Sequence, residues 1–269
     1  MSAATATKKK SNKTKVAEGS KAQAPNVITG SAFRCETLSM SVDIESVTPY
    51  MCHQFGAKAK RQMLEGMMNP DTKKRATGAQ REAKDPFKDF LEAGYWNFKR
   101  KGKEEVPVNL CVKANSIKNA ICDAAAFLGD RKTLTKKDTK RAIFVEPILQ
   151  LRGESLIPLT AEGPLPEGQK TRMDFDPLFE KRLKPFHDIG VSMDESLVKV
   201  GNGQPDLRYR PKLWSWTTTL LITFSRYEPD LVLTLLEEAG NGGIGENRPT
   251  SPQSTGEFGR FKITEHRDG

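Results

Sequence analysis

The side chains best suited to chemistry in this chain are those that could hold phosphate. A glycine-rich loop from Gly240 to Gly259 carries Arg248, and Arg260 follows it directly. Glycine lets backbone approach a ligand or another chain closely, and arginine in such a loop favours a phosphate-bearing partner. The candidate phosphate ligands follow the first strand, begin a helix or lie among later arginines: Lys58, Lys60, Arg61, Asn115, Ser116, Lys118, Arg172, Arg208, Arg210, Arg248 and Arg260.

Two groups of these candidates, the helix start and one pair of arginines, have a physical reason for a particular role. The predicted start of a helix at Asn115, Ser116 and Lys118 offers unpaired amides and a favourable dipole for an anion. Arg208 and Arg210 have an alternative role, which is pairing with acidic residues of a neighbouring copy of the chain.

Candidate catalytic residues are few. The chain has three histidines, His53, His187 and His266, and a lone histidine is more often structural than catalytic. Asp174 and Asp176 lie in a proline-containing segment, where carboxylates usually shape turns. The spacing of a phosphate-binding P-loop is absent, and no spacing of carboxylates or histidines indicates a metal site. The sequence therefore predicts a protein without enzymatic activity, cofactor or metal.

The positive charge of the chain, +9 in total, is concentrated in three segments. Residues 1–31 carry six lysines and one glutamate, residues 56–105 carry 13 basic and eight acidic residues, and residues 131–141 carry six bases and one aspartate. Segregated positive charge indicates a polyanion such as nucleic acid, with a solvated lysine-rich surface as the alternative. No basic amphipathic helix accompanies the charge, so membrane binding is not expected.

Cysteine usage and hydropathy predict a cytoplasmic protein. The four cysteines, Cys35, Cys52, Cys111 and Cys122, are widely spaced, which fits reduced thiols better than disulfides or a zinc site. No apolar run reaches the length of a membrane span, and the N-terminus lacks the apolar region of a secretory signal.

The elements that must position these residues are predicted from periodicity and punctuation. Residues 1–31 are too polar to fold and are predicted as a disordered basic arm before a single domain, residues 32–269. Strands are predicted over 38–44, 142–151, 155–160, 214–224 and the end of the chain, helices over 115–128 and 229–239, a partly helical insertion over 56–105 and a loop-rich insertion over 161–211. Pro147 predicts a bulge or an edge position, and Gly240 predicts a helix cap.

With the insertions set aside, the order is strand, helix, strand, strand, helix, strand. This order predicts an α+β fold of the ferredoxin-like type, similar to RNA-recognition modules, with one open sheet face. The open face is expected to be polar and basic, which suits single-stranded nucleic acid, although it lacks the usual aromatic pair. Its predicted members are Thr37, Ser39, Ser41, Thr217, Thr219, Arg260 and Lys262.

This constellation resembles the RAMP superfamily of CRISPR-associated proteins, and within it the backbone subunit that coats guide RNA in Cascade-type complexes. The segment SVTPYMCHQ (46–54) is similar to the family's first strand and turn, and VKANSIKNAICDAA (112–125) to its helix start. Lys113 and Ala114 stand where the family has proline and glycine. The loop from Gly240 to Gly259 is similar to the family's glycine-rich loop. The run GIGENRP followed by GEFGRF also resembles proteins of bacteriophages and prophages, which implies a mobile-element origin and a bacterial host cell.

The resemblance implies a right-hand shape in which the ferredoxin-like core is the palm. Residues 56–105 would then be finger-like, and residues 161–211 would hold a thumb that intercalates between bases. It also implies head-to-tail assembly into a helical filament along single-stranded RNA, with other Cascade-like subunits as possible partners. Two alternatives stay open: a phage single-stranded DNA-binding or recombination protein, and a metal-independent endoribonuclease using His53.

Overall fold

The computed structural model describes residues 36–54, 56–68, 84–128, 134–200, 204–251 and 256–269. The predicted arm, residues 1–31, lies outside the described residues. The described helices are α1 (Ala57–Met68), α2 (Pro86–Ala93), α3 (Ala114–Leu128), α4 (Lys136–Ala142), α5 (Glu180–His187) and α6 (Pro229–Gly242). None of them is long and apolar enough to cross a membrane.

The strands of the described residues form two sheets, and the α+β prediction is confirmed. They are β1 (Thr37–Ser46), β2 (Tyr50–Met51), β3 (Trp96–Lys101), β4 (Glu104–Lys113), β5 (Ile143–Val145), β6 (Leu149–Leu151), β7 (Glu154–Ala161), β8 (Val191–Val200), β9 (Gln204–Leu213), β10 (Trp216–Ser225) and β11 (Phe261–Asp268). The larger sheet has the order β11-β1-β10-β7-β4-β3, with β5 on β10 and β6 on β7, and the smaller one has the order β2-β9-β8.

The centre of the larger sheet has the ferredoxin-like order. β1 lies between β11 and β10, β5 pairs with the far side of β10, and all of these pairs are antiparallel. Helix α3 follows β1 and precedes β5, while α6 joins β10 to β11, which is the split strand–helix–strand arrangement. The apolar residues of β1, Met40, Val42 and Ile44, are buried in the core cluster that also contains the inner faces of α3 and α6. Alternation in β1 therefore sets which face the helices cover.

Helix α6 begins with Pro229, as predicted, but continues to Gly242. The cap is Gly243, whose φ of 72° is the left-handed conformation that glycine adopts readily. The prediction that Gly240 caps the helix is therefore wrong. Gly240 lacks a side chain for another reason, since an added Cβ would collide with the carbonyl oxygen of Phe261.

The predicted strand over 142–151 is two short strands with different partners. Ala142 ends helix α4, β5 pairs with β10, and β6 pairs with β7. Pro147 lies in the break between β5 and β6, where a residue without an N–H group does not interrupt a ladder. The predicted hairpin to the next strand is confirmed, and its turn residues Arg152 and Gly153 both have positive φ angles.

The predicted insertion over 56–105 contributes α1, α2 and β3, and it ends within β4. The β3–β4 hairpin is part of the larger sheet, because β4 pairs with β7. Its turn contains Gly102, whose φ is 65°. Aromatic residues of α2 and β3 pack on Phe186 of α5, with ring centroids 5.1 Å apart for Phe90 and 4.8 Å apart for Trp96. The aromatic residues of this segment are therefore covered by a residue of the second predicted insertion.

The prediction that residues 161–211 are loop-rich is wrong. The segment contains α5, β8 and most of β9, and the two strands pair over their whole length from Val191–Leu213 to Val200–Gln204. Strand β9 was not predicted because it contains two prolines, Pro205 and Pro211, which are rare inside strands. The far side of β9 pairs with β2 only at Lys212 and Leu213, so both prolines lie where a missing N–H group costs little.

Candidate nucleic-acid interface

An open cleft of about 300 Å³ collects polar side chains from four separate parts of the chain. Residues after β1, residues at the β4–α3 junction, Tyr95, and the loop after α6 all line it. The lining comprises Tyr50, Cys52, His53, Tyr95, Lys113, Ser116, Asn119, Ala120, Asp123, Gly243, Ile244, Gly245, Glu246 and Arg248. The cleft therefore brings together three of the segments that carry the family resemblance.

The glycine-rich loop is held against the residues that follow β1. The N–H of Glu246 donates to the carbonyl of Met51 at 2.8 Å, and the N–H of Gly259 donates to the carbonyl of Pro49 at 2.7 Å. Gly245 has a φ of 82°, and an added Cβ would collide with the carbonyl oxygen of Met51. The close backbone approach that the glycines predicted is therefore an approach to another segment of the same chain, and it builds one wall of the cleft.

Helix α3 supplies the opposite wall through one polar face. β4 passes directly into α3, and Ile117 and Ile121 are buried in the core. Ser116, Asn119 and Asp123 follow at spacings of three and four residues, which places them on one helix face, and all three line the cleft. Asn119 is exposed and makes no hydrogen bond with another residue in the described part of the chain.

The cations of the cleft are oriented by partners within the chain. Nζ of Lys113 lies 2.9 Å from Oε1 of Glu154 and 5.0 Å from the ring centroid of Tyr95. Partial burial alone would lower the pKa of Lys113, but hydrogen bonds to Glu154 and Tyr95 outweigh it and raise the pKa. Nη1 of Arg248 donates to the carbonyl of Gly245 at 3.0 Å. Both cations are thus held in place at the cleft.

His53 lines the cleft as a neutral imidazole at pH 7. Burial lowers its pKa below the ordinary value, and the nearby guanidinium of Arg208 lowers it further. Its Nδ1 atom is enclosed and has no hydrogen-bond partner among the described residues. The ring is therefore part of the cleft wall and carries no charge that would attract phosphate.

The predicted phosphate ligands fall partly inside and partly outside this cleft. Ser116 and Arg248 line it, and Asn115 is exposed beside them in the first turn of α3. Lys60 lines a second groove of about 640 Å³ on the other side of Tyr95, which borders both cavities. Arg61 is exposed on α1, and the side chain of Lys58 lies outside the described residues.

The remaining candidates lie away from the cleft lining. Nζ of Lys118 lies 5.5 Å from the ring centroid of Phe144, and Arg172 borders a separate cavity near Asp176. Arg260 is partly buried, and its backbone N–H donates to Oγ1 of Thr48. None of these three residues lines the cleft.

Arg208 and Arg210 pair within their own chain, in contrast to the predicted contact with a neighbouring copy. Nε of Arg208 lies 3.4 Å from Oδ2 of Asp206. Arg210 is 2% exposed, lies opposite Asp194 in the β8–β9 pairing and donates to Oγ of Ser196 at 2.6 Å. A phosphate cannot reach a guanidinium enclosed in this way, so the structure does not offer Arg210 as a phosphate ligand.

Asp174 is a structural carboxylate. It is 1% exposed and caps a short 3-10 helix (Arg172–Phe175), accepting from the backbone N–H groups of Thr171 and Met193 and facing Nε2 of His187 at 3.0 Å. Asp176 accepts from the N–H of Leu178, as a turn residue does. No three metal-ligating side chains converge within the described ranges.

The polar face of the larger sheet is nearly charge-neutral. Pairing places Asp43 opposite Thr219, and Glu45 opposite both Thr217 and Lys262. Asp43 forms an ion pair with Arg267, and Glu45 forms one with Lys262 at 3.5 Å. The predicted basic character of this face is therefore wrong, because the sequence reading left out the acidic residues of β1.

Sequence reasoning missed several residues of the cleft: Tyr95, Lys113, Asn119, Asp123 and Glu246. A signal for two of them was present. Asn119 and Asp123 interrupt the apolar residues of α3 at helical spacing from Ser116, so they mark a polar stripe on the predicted helix. Tyr95 and Lys113 gave no such signal, because the β3–β4 hairpin brings them to the cleft.

Comparison with known proteins adds a distant structural likeness. No protein-family profile and no curated protein sequence matches the chain. A chain in the cryo-EM structure of the Type III-B Cmr-beta bound to cognate target RNA is similar, with a TM-score of 0.37 and 10% sequence identity. The likeness covers 86% of this chain, which spans 60% of the length of the matched chain.

Proposed function

We propose that the chain binds single-stranded nucleic acid, RNA in preference to DNA, and does not cleave it. The supporting observation is the convergence on one open cleft of Lys113, the first turns of α3 at Ser116, and Arg248 in the glycine-rich loop. A helix start and oriented cations are the groups that hold phosphate, and positioning through the backbone is independent of sequence. The second groove, bordered by Tyr95 and Lys60, offers the strand a continuation beyond the cleft.

A finer proposal concerns assembly. The split strand–helix–strand core, together with the resemblance of α3 and the glycine-rich loop, favours a RAMP-like subunit that associates head to tail along the strand. In this arrangement the β8–β9 hairpin is the thumb, and α1 to β3 form the finger-like part. Other Cascade-like subunits are further possible partners, and a bacterial cytoplasmic location remains a prediction.

Binding is tested with a charge placed in the cleft. Ser116→Glu adds a carboxylate in the first turn of α3, where a negative charge favours the helix and repels a phosphate. We expect RNA affinity, measured by fluorescence anisotropy, to fall about tenfold, the size of one close charge repulsion near a surface. Thr234→Glu is the control, because Thr234 is exposed on α6 outside the cleft lining. Equal affinities of the two variants would contradict the proposed site.

The nature of the strand and the assembly are tested with the purified protein. Tighter binding to RNA than to DNA of the same sequence would support contacts to the 2′-hydroxyl, and the reverse preference would favour the phage single-stranded DNA-binding alternative. Negative-stain microscopy, with the absorbance ratio at 260 and 280 nm recorded before and after nuclease, tests assembly. Filaments that carry nuclease-sensitive absorbance are expected, and isolated particles without nucleic acid would contradict the filament.

A second candidate function is metal-independent cleavage of RNA. The observation that favours it is that neutral His53 and cationic Lys113 line the same cleft. A neutral imidazole can accept the proton of a 2′-hydroxyl as its oxygen attacks the adjacent phosphorus. The bond from phosphorus to the 5′-oxygen then breaks, the 5′-oxygen takes a proton from the ammonium group of Lys113, and a 2′,3′-cyclic phosphate remains. Cleavage in the presence of a chelator that disappears in His53→Ala would establish this function in place of simple binding.

A further inference from the structure

We propose that the 300 Å³ cleft admits one nucleobase of the bound strand and that Asn119 reads its edge, with a preference for adenine. The inference rests on the proposed function and goes beyond it, because a protein that grips only backbone has no preference for a base. It assigns this chain a position at which the sequence of the bound strand affects affinity.

The first support is the free hydrogen-bonding capacity of α3. Asn119 is exposed, lines the cleft and has neither its amide nitrogen nor its oxygen engaged by another described residue. Asp123 lies one turn further along the same face. Its Oδ1 atom is held by Nζ of Lys136, which leaves Oδ2 as an acceptor on an oriented carboxylate. The helix thus presents a donor and two acceptors within one turn.

The second support is the size and shape of the cleft. Its volume lies at the lower end of the range of small-ligand sites, roughly 300–1,000 Å³, which suits a single base and excludes a run of stacked bases. Tyr95 gives one wall a partly exposed aromatic ring whose position is fixed by Lys113. The glycine-rich loop gives the facing wall, where backbone replaces side chains. Proteins that read single-stranded RNA hold splayed bases between such walls.

The donor and acceptor pattern selects the base. An asparagine amide matches adenine with two hydrogen bonds, one to N7 and one from the N6 amino group. A carboxylate only accepts, so Asp123 also favours a base with an exocyclic amino group. Uracil has no amino group, and it presents a carbonyl oxygen where adenine presents N6. The cleft should therefore hold adenine more tightly than uracil.

The experiment compares short oligoadenylate and oligouridylate RNAs on the full-length protein by fluorescence anisotropy. We expect the wild-type protein to bind oligoadenylate about tenfold more tightly, as one bidentate contact provides. Asn119→Ala should bring the affinity ratio close to one by weakening oligoadenylate alone. Asn241→Ala is the matched control, because Asn241 is exposed at the end of α6 and is absent from the lining of this cleft. It should keep the wild-type ratio.

The possible failures are distinct. Binding of both RNAs with equal affinity, or a preference that survives in Asn119→Ala, would overturn base reading and leave backbone binding intact. A loss of the preference in Asn241→Ala as well would place its origin outside the cleft. No binding of either RNA at low salt would overturn the proposed function and this inference together. An unchanged thermal unfolding midpoint of Asn119→Ala shows that the variant is folded.

Discussion

Asp174 shows how a residue that looks reactive in the sequence becomes structural in the fold. Burial by itself would raise its pKa, but hydrogen bonds from His187, Thr171 and Met193 outweigh burial and lower the pKa. A lowered carboxylate pKa stabilises the fold above the ordinary aspartate range, and this contribution is lost as the pH falls through the lowered value. Asp174 thus links the 3-10 helix, α5 and β8 through its hydrogen bonds, and its carboxylate is not accessible for catalysis.

Replacing Asp174 by asparagine should lower the free energy of unfolding by about 2 kcal/mol at neutral pH, because charged acceptors of buried donors are lost. The deficit should shrink below about pH 4, where the carboxylate takes up a proton in the unfolded wild-type chain and so lowers the stability of the wild-type protein. Urea unfolding at several pH values measures this. Asp176→Asn is the control, and an equal loss in both variants would contradict the role given to Asp174.

His53 predicts a loss of stability on acidification, as Asp174 does, but closer to neutral pH. Its pKa is lowered by burial and by Arg208, so the folded protein binds this proton less readily than the unfolded chain. Stability should therefore fall as the pH decreases below about 6.5, the ordinary value for histidine. His53→Gln should flatten the dependence of the unfolding free energy between about pH 7 and pH 5. His266→Gln, which changes an exposed histidine, should leave it unchanged.

At the scale of elements, the part of the glycine-rich loop around Gly245 forms a wall of the cleft because its backbone packs closely on Met51. Gly245 combines a φ of 82° with a backbone contact to Met51, whereas Gly102 in the β3–β4 turn has a φ of 65° and open space around it. Substitutions at these two glycines therefore distinguish two effects. At Gly102 only the left-handed conformation is strained, whereas at Gly245 a side chain would also collide with a second chain segment.

Gly102→Ala should cost about 1 kcal/mol of unfolding free energy, the penalty of the left-handed conformation alone. Gly245→Ala should cost more and should also weaken RNA binding, because the loop must move away from Met51 and so reshape the cleft. Chemical denaturation and anisotropy on the same two variants check both effects. If the two variants lose equal stability and bind RNA equally well, the close contact of Gly245 with Met51 is not required for stability or for RNA binding.

The elements that could be predicted are those whose own residues specify them. Strand β1 alternates cleanly from Leu38 to Ile44, and α3 carries an apolar stripe. The β8–β9 hairpin could not be recognised, because its prolines are acceptable only once β2 leaves most of one edge of β9 open. The same holds for the site. Ser116 and Arg248 lie in segments with local signals, whereas the burial of Arg210 depends on Asp194 across a strand pair.

At the scale of the whole molecule, positive charge and the cleft have different roles. The described basic residues of the three charged segments are absent from the cleft lining, and Lys136 in the third segment pairs with Asp123. Charge of this kind attracts any polyanion and is screened by salt, while the cleft depends on fixed local contacts.

Replacing the six lysines of residues 1–31 by glutamine should therefore weaken RNA binding mainly at low salt. The slope of log affinity against log salt should decrease in magnitude by about 0.7 for each lysine that neutralises a phosphate. The ratio of RNA to DNA affinity should stay the same, because we expect the arm to attract either polyanion through charge alone. Anisotropy titrations over a range of salt concentrations measure both quantities. A changed ratio would show that the arm takes part in recognition.

The outer position of β11 bears on how copies of this protein can meet. Among the strands that the structure describes, β11 pairs with β1 alone, so its other side is a sheet edge that could recruit a strand from another molecule. The edge is protected, since most of its residues are charged or polar and a bulge lies between Asp43 and Ile44 in the neighbouring ladder. Amyloid-like stacking of copies through this edge is thus disfavoured even at high protein concentration.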